Sequence, residues 1–190
     1  KIIKETQTSK LKIGYKFGLE LLNSKNGRKF ISKLKNKILF GDYKISDIPN
    51  TCASTIKAVK DLKFNYITIH INCGLEALKT AKKVSGKCKL VGVTTLTSLN
   101  DKDIKEIGFQ NNVNNQVLRM ASLCHQSKLN GIVCSANEAK VIKENFPSEF
   151  ICVCPGIRAL DDFIDDQSRV ITPTLAAKNG ADYIVVGRPI

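Results

Sequence analysis

The chain has 190 residues, of which 43% are hydrophobic, and a formal net charge of +13. This length suffices for one sizeable core and is too short for two comfortable domains, so we expect a single domain over residues 1–190. No stretch reaches the ~20 apolar residues that a membrane span needs, no secretory signal is evident, and the lysines are scattered with only 6% aromatic residues, which argues against membrane and nucleic-acid partners.

Short apolar runs alternate with longer amphipathic stretches along the whole chain. The runs predict seven strands, at Leu11–Tyr15, Lys37–Asp42, Tyr66–Ile71, Lys89–Thr94, Gly131–Ser135, Phe150–Cys154 and Asp182–Gly187. The stretches between them predict helices near 19–35, 51–62, 74–85, 113–128, 136–145 and 173–179. Strands that are apolar on both faces and alternate with helices indicate an α/β fold with a parallel sheet.

Periodicity alone leaves two architectures open, a doubly wound sheet and a (β/α)8 barrel that lacks a piece. The position of the polar residues favours the barrel, because nearly every predicted strand ends in a group capable of chemistry. An open sheet would instead concentrate such groups at one switch point.

Seven cysteines stand at 52, 73, 88, 124, 134, 152 and 154, and none forms a Cys-x-x-Cys pair. An odd number of cysteines, several of them in apolar runs, is typical of reduced thiols in a cytoplasmic protein. With only two histidines in the chain, the sequence predicts no metal site.

The most informative segment follows the second predicted strand. Asp42, Lys44 and Asp47 form an Asp-x-Lys-x-x-Asp pattern, and residues two apart in a regular strand point to the same face. Such charges are costly to bury unless they pair with each other or with a ligand, which makes them a candidate site.

Two further segments carry candidate binding groups. Gly187 and Arg188 follow the last strand and together offer a close backbone N–H and a forked cation, the groups that bind phosphate. Arg158 opens a polar loop, 159–167, that is either a lid or a plain surface loop. His70 ends a strand and is interpreted as structural, because no carboxylate or second histidine is spaced to accompany it.

These motifs, taken in order, resemble the orotidine 5′-monophosphate decarboxylase family from about Lys10 to Ile190. The resemblance is carried by Lys12-Ile13-Gly14, by Asp42-x-Lys44-x-x-Asp47-Ile48-Pro49-Asn50-Thr51, by the segments Gly92–Ser98, Gly131–Ala136, Pro155–Arg158 and Asp166–Pro173, and by Gly187–Ile190. It implies a (β/α)8 TIM barrel that works as a homodimer without metal or organic cofactor. It also implies a carboxy-lyase that converts orotidine 5′-monophosphate to uridine 5′-monophosphate in pyrimidine biosynthesis.

The resemblance also implies roles for individual residues. Lys44 resembles the proton donor to C6 of the pyrimidine, Asp42 the carboxylate that holds it, and Lys12 the second cation of an alternating lysine–aspartate array. Asp47 and Thr51 resemble residues that cross the dimer interface into the partner's site. The remaining substrate-binding positions implied are Thr97 at the pyrimidine, Gln167 in the lid, Arg158, and Gly187 with Arg188 at the phosphate.

Three departures from the family pattern leave alternatives open. Nothing before Lys12 matches the family's first strand, and the family continues past Ile190 into a final helix, so a truncated, inactive member that at most binds nucleotide monophosphates is one alternative. Gly41 stands where the family commonly has a larger residue, which indicates looser packing beside Asp42. A magnesium-dependent sugar-phosphate decarboxylase or aldolase of the same superfamily is less favoured, because those enzymes typically carry a glutamate where this chain has Lys12.

Overall fold

The structure is a computed structural model that describes residues 2–6, 8–158 and 171–187. The chain forms two compact units, residues 1–90 and 91–190, which are described separately. That one domain spans residues 1–190 stays a prediction.

The first unit contains the first three strands and the helices that connect them. Its helices are α1 (Ile2–Glu5), α2 (Leu19–Asn23), α3 (Gly27–Ser32), α4 (Pro49–Ala58) and α5 (Leu75–Val84), with single 3₁₀ turns at Lys60–Leu62 and Ile71–Cys73. Its strands are β1 (Gly14–Phe17), β2 (Ile38–Ile45) and β3 (Tyr66–His70), and β4 (Lys89–Val93) begins in it. β1 pairs parallel with β2, and β2 pairs parallel with β3.

The second unit repeats this strand–helix alternation. It contains helices α6 (Asp101–Glu106), α7 (Val113–Gln126), α8 (Ala136–Asn145) and α9 (Pro173–Lys178), and strands β5 (Gly131–Val133), β6 (Ile151–Cys154) and β7 (Tyr183–Ile184). β4, β5, β6 and β7 pair in that order, all parallel. In both units each strand therefore lies beside the next one in sequence, which is the barrel arrangement and not the reversed order of a doubly wound sheet.

The parallel strands are buried on both faces, as the apolar runs predict. The three central residues of β3, Ile67 to Ile69, are at most 2% exposed, and so are Ile132 on β5 and the paired Cys152 on β6. Helices cover the strands through one apolar side: α5 buries Ala77, Leu78 and Ala81 and leaves Lys79 and Lys83 in solvent. Each buried Leu or Ile contributes roughly 1.5–3 kcal/mol through removal of apolar surface from water.

The predicted elements differ from the observed ones at several places. The helix predicted over 19–35 is two short helices separated by a turn at residues 24–26. This turn packs Gly27 so closely against the Leu21 carbonyl oxygen that a side chain at position 27 would clash with it. Helix α6 was not predicted, although Asn100 and Asp103 form a capping box at its start. The first strand begins and ends two to three residues later than predicted.

Candidate functional site

The Asp-x-Lys segment lies at the carboxyl end of β2, where the strand contains a bulge. Gly41 pairs with Ile67 and Ile45 pairs with Ile69, so β2 has two residues more than β3 over this interval. Within the bulge Lys44 adopts a left-handed backbone conformation with φ of 48°, which is unusual for a residue with a side chain. β-Bulges often redirect a side chain beside an active site, and this one brings the Lys44 side chain to Asp42.

Two lysines converge on one oxygen of Asp42. Lys16 Nζ on β1 lies 2.6 Å from Asp42 Oδ2, and Lys44 Nζ lies 2.8 Å from the same oxygen. The Asp42 residue is buried, with 7% of its surface exposed, while both lysine side chains are about one third exposed, at 32% and 35%. The resulting cluster is a buried carboxylate between two ammonium groups that reach solvent, with net positive charge.

The other Asp42 oxygen is held from β3. Thr68 Oγ1 donates a hydrogen bond of 3.0 Å to Asp42 Oδ1 and accepts one of 2.8 Å from the backbone N–H of Lys44. Thr68 is fully buried. Both carboxylate oxygens of Asp42 therefore have donors, as a buried charge requires.

Two pKa values in this cluster are shifted from their ordinary values. Burial by itself would raise the pKa of Asp42, but the charges and hydrogen bonds of Lys16 and Lys44 outweigh it and lower that pKa. Burial, together with the nearby Lys44 ammonium, lowers the pKa of His70, although the Asp42 carboxylate opposes this. Asp42 is therefore ionised and His70 neutral at pH 7.

The lysine that contacts Asp42 from β1 is Lys16 and not the predicted Lys12. Lys12 precedes β1 and is exposed, whereas Lys16 lies on β1 in register with Phe40, two residues before Asp42. At ~3.3 Å per strand residue, Lys12 lies about 13 Å further back along the chain. A signal for Lys16 was present, because Lys16-Phe17-Gly18 repeats the Lys-x-Gly pattern of Lys12-Ile13-Gly14.

The packing beside Asp42 is tighter than we expect from the presence of a glycine at position 41. A Cβ atom on Gly41 would lie 2.8 Å from Tyr43 Cε2 and 3.3 Å from Phe64 Cδ2. The Tyr43 ring, which meets Phe64 edge-on at a centroid distance of 5.8 Å, occupies the space of the larger residue expected there. The expectation of looser packing was therefore wrong.

The third member of the pattern, Asp47, lies outside the cluster. It is exposed in the loop between β2 and α4, and its Oδ1 accepts a hydrogen bond of 2.7 Å from the Ile48 N–H. Thr51, in the first turn of α4, is also exposed, and Ile48 between them exposes 67% of its surface. This loop thus presents Asp47, Ile48 and Thr51 to solvent.

The second unit carries the remaining predicted residues that the structure describes. Thr97 is half-buried in the loop after β4. Arg158 follows β6, is 7% exposed, and donates from Nη1 to the Ile157 carbonyl at 3.0 Å. Gly187 is exposed after β7, and a Cβ atom built on it would meet nothing within 4 Å among the described residues. Gln167 and Arg188 lie outside the described residues, as does the whole of the predicted loop 159–167.

Another polar residue at a strand end has a structural role. Ser135 follows β5 and caps α8: its side chain accepts from the Asn137 N–H at 3.3 Å, and Glu138 Oε2 accepts from the Ser135 N–H at 2.8 Å. This capping box satisfies two backbone donors at the start of the helix. Ser135 is therefore not a candidate for chemistry.

The described parts of the chain show neither a metal-binding cluster nor a membrane-spanning helix. Within residues 2–6, 8–158 and 171–187, no group of three or more His, Cys, Asp or Glu side chains is arranged to hold a metal ion. No helix among the same residues is both long and apolar enough to cross a membrane.

Comparison with known proteins shows where the chain belongs. The model of the orotidine 5′-phosphate decarboxylase / HUMPS family matches residues 5–190. The chain is 41% identical over 179 residues to orotidine 5′-phosphate decarboxylase of Wolbachia pipientis, covering 92% of this chain and 78% of the relative. It is 38% identical over 185 residues to the Idiomarina loihiensis protein of the same name, covering 94% and 80%.

Solved structures agree with the sequence relatives. The crystal structure of orotidine 5′-phosphate decarboxylase from Lactobacillus acidophilus matches with a TM-score of 0.79 and 34% identity, covering 92% of this chain and 78% of that one. The predicted (β/α)8 barrel class is thereby confirmed. The sequence matches, the parallel strand order and the structural match together establish that the chain belongs to the orotidine 5′-phosphate decarboxylase / HUMPS family.

Proposed function

We propose that this protein decarboxylates orotidine 5′-monophosphate to uridine 5′-monophosphate, a step of pyrimidine biosynthesis. The observation that carries the proposal is the cluster in which Lys16 and Lys44 both contact the buried Asp42 carboxylate at a strand end. The relatives that carry the name of this activity, at about 40% identity over most of the chain, support it.

The reaction requires stabilisation of a carbanion. When the C6–carboxylate bond breaks, carbon dioxide leaves and the electron pair remains on C6, where the ring delocalises it poorly. A fixed ammonium group beside that carbon stabilises the developing charge and then transfers a proton to it. We assign this role to Lys44, whose ammonium contacts Asp42 while 35% of its side chain stays accessible to solvent.

Asp42 and Lys16 fix the position of the Lys44 ammonium. The Asp42 carboxylate contacts Lys44 Nζ at 2.8 Å and so holds the proton donor at the end of β2. Lys16 contacts the same Asp42 oxygen at 2.6 Å and holds the carboxylate from the β1 side. In the proposed complex Asp42 lies near the departing carboxylate of the substrate.

Substrate binding is proposed for the residues that the family resemblance names in the second unit. Thr97 binds the pyrimidine, Arg158 and Gln167 bind the substrate, and Gly187 with Arg188 binds the phosphate. The phosphate lies far from C6, but its contacts lower the activation barrier of decarboxylation if they are stronger in the transition state than in the bound substrate. The excess of positive charge on the chain, +13, attracts this anionic substrate.

We also propose that the working form is a homodimer. In this proposal, Asp47 and Thr51 reach the partner's site from the loop between β2 and α4. Support comes from the exposure of this loop, including the apolar Ile48 at 67%, since a large apolar side chain in solvent is favourable to bury in an interface.

The magnesium-dependent enzymes of the superfamily are a weaker candidate. The acidic residue nearest the proposed reaction centre, Asp42, contacts two ammonium groups on one oxygen. A dication at that carboxylate would face both lysines, and the resulting repulsion disfavours a metal there.

Turnover by the purified product of the reading frame that contains this sequence tests the proposal. The decrease in orotidine absorbance and the formation of uridine 5′-monophosphate are followed for the native protein, for Lys44→Ala and for Lys57→Ala, a control at an exposed lysine of α4. We expect turnover by the native protein and by Lys57→Ala and its loss in Lys44→Ala. A folded native protein that binds the nucleotide in calorimetry but forms no product would reject the activity in favour of an inactive nucleotide-binding member.

A further inference from the structure

One hydroxyl group links the two functional residues of the cluster. Thr68 Oγ1 lies 3.0 Å from Asp42 Oδ1 and 2.8 Å from the backbone nitrogen of Lys44. Thr68 is on the neighbouring strand β3, between Ile67 and Ile69, which pair with the residues on either side of the bulge. It therefore faces the two extra residues of β2.

The direction of the two hydrogen bonds follows from the chemistry of the groups. The Lys44 backbone nitrogen can only donate, so the Thr68 oxygen accepts that bond, and its single proton is left for Asp42. Asp42 Oδ1 must then be an acceptor, which an ionised carboxylate provides. The arrangement is fully satisfied when Asp42 is charged, the form that retains the two lysines.

The same hydroxyl also supports the unusual backbone of Lys44. A left-handed conformation at a residue with a side chain persists only where surrounding contacts hold it. In the bulge, the regular ladder between β2 and β3 is interrupted, and the Lys44 N–H finds its partner in a side chain instead. Loss of that partner would leave the N–H without the bond that fixes the direction of the Lys44 side chain.

We propose that Thr68 is a positioning residue for the decarboxylation, which holds Asp42 ionised and fixes the bulge that aims Lys44. This inference rests on the proposed function. Thr68 is fully buried, and its hydroxyl bonds to the Asp42 side chain and to the Lys44 backbone. It therefore acts on the geometry of these two residues and not directly on the substrate.

The test compares two substitutions that separate the hydroxyl from the packing of the side chain. Thr68→Val keeps the volume and removes the hydroxyl, whereas Thr68→Ser keeps the hydroxyl and removes a methyl group. Thr80→Val is the matched control, because Thr80 lies on α5 and its hydroxyl donates to the surface residue Glu76 at 3.3 Å. The values of kcat and KM for orotidine 5′-monophosphate, and the free energy of unfolding in urea, are measured for the native protein and for these three variants.

We expect Thr68→Val to lower kcat by about 10- to 100-fold with KM changed less than threefold, roughly the effect of losing a hydrogen bond to a charged group and misplacing a catalytic amine. Thr68→Ser is expected to retain most of kcat, and Thr80→Val all of it. A purely structural role predicts the reverse order, with Thr68→Ser the worse variant because it leaves a cavity. That result, or equal kcat for Thr68→Val and the native protein, would overturn the inference.

A second measurement does not depend on turnover. The pKa of the Asp42 carboxyl group is followed by ¹³C NMR in the native protein and in both Thr68 variants, with Lys16, Lys44 and His70 as the other titratable groups that face it. Removal of the donor is expected to raise this pKa in Thr68→Val and leave it unchanged in Thr68→Ser. Absence of turnover in the native protein would reject the proposed function alone, whereas an unchanged Asp42 pKa in Thr68→Val would reject the role of Thr68.

Discussion

The Lys16 ammonium lies 2.6 Å from Asp42 Oδ2, a contact that joins two residues 26 positions apart on adjacent strands. It identifies the second lysine of the cluster, which the sequence pattern had placed at Lys12. Because Lys16 and Lys44 share one carboxylate oxygen, the position of each amine depends on Asp42, and this dependence leads to the first two predictions.

The paired variants Lys16→Ala and Lys12→Ala test which lysine belongs to the site. Lys16→Ala removes a charge-assisted hydrogen bond to a buried carboxylate, so we expect kcat/KM for orotidine 5′-monophosphate to fall by at least 100-fold. Lys12→Ala changes an exposed residue before β1 and is expected to stay within about threefold of the native value. Steady-state kinetics of the two proteins side by side decide the matter, and a greater loss in Lys12→Ala would return the role to that residue.

Stability in acid tests the Asp42 ion pairs. The pKa of Asp42 is lower in the folded protein than the value of about 3.9 in an unfolded chain, so the unfolded chain binds more protons between these two values. The stabilisation is therefore present above the unfolded pKa and is lost as the pH falls through the folded one. Urea unfolding measured from pH 6 down to pH 2.5 should show that the free energy of unfolding falls less steeply with pH in Asp42→Asn than in the native protein. Parallel plots of this free energy against pH for the two proteins would contradict the ion pairs.

Gly41→Ala tests the packing at the start of the bulge. The new methyl group would lie 2.8 Å from Tyr43 Cε2, so the ring must move, and we expect a loss of about 1–3 kcal/mol of unfolding free energy. In the double variant Gly41→Ala/Tyr43→Ala, the loss of unfolding free energy should be smaller than the sum of the losses in the two single variants. Gly18→Ala is the control, because a Cβ atom there meets nothing within 4 Å. Additive losses in the double-mutant cycle would show that the Tyr43 ring does not fill this space.

Cysteine alkylation tests the burial of the thiols. Burial raises the pKa of Cys73 to about 12, with a further contribution from the contact with the Cys52 thiol, and burial raises the pKa of Cys88 to about 11. At pH 8 the reactive thiolate is then roughly one part in 10⁴ for Cys73 and one in 10³ for Cys88.

Mass spectrometry of an iodoacetamide time course at pH 8 measures these rates. Both native cysteines should react far more slowly than an engineered thiol in Lys83→Cys, an exposed position on α5, and should become equally reactive in urea. Alkylation of Cys73 in the folded protein at the rate of the engineered thiol would contradict the buried environment.

Much of the fold could be predicted from local patterns. The apolar runs predicted each of the seven strands found in the described residues, because strands in a covered parallel sheet are buried on both faces and form continuous hydrophobic segments. Boundaries were less accurate: β1 begins at Gly14 and not at Leu11, since nothing local stops a strand there and the pairing with β2 sets its limits.

The candidate site also contains residues that could be predicted from the sequence and residues that could not. Asp42 and Lys44 were identified from spacing and from the cost of burying charge, both of which are properties of a short segment. Lys16 and Thr68 were not identified, because a lysine or a threonine in a strand has no local feature that shows which distant residue it will contact. Two Lys-x-Gly segments four residues apart are equivalent as patterns, and only their register against β2 distinguishes them.

The order of residues along the chain determined the class of fold, the location of the acidic and basic pair on β2, and the family. The tertiary structure alone decided that β2 bulges by two residues opposite Thr68, that Lys44 has a left-handed backbone, and that Lys16 completes the cluster. The physical reason is that hydrophobic periodicity is set by neighbours in the chain, whereas an ion pair and its supporting hydrogen bonds are set by the register of strands that are 26 residues apart.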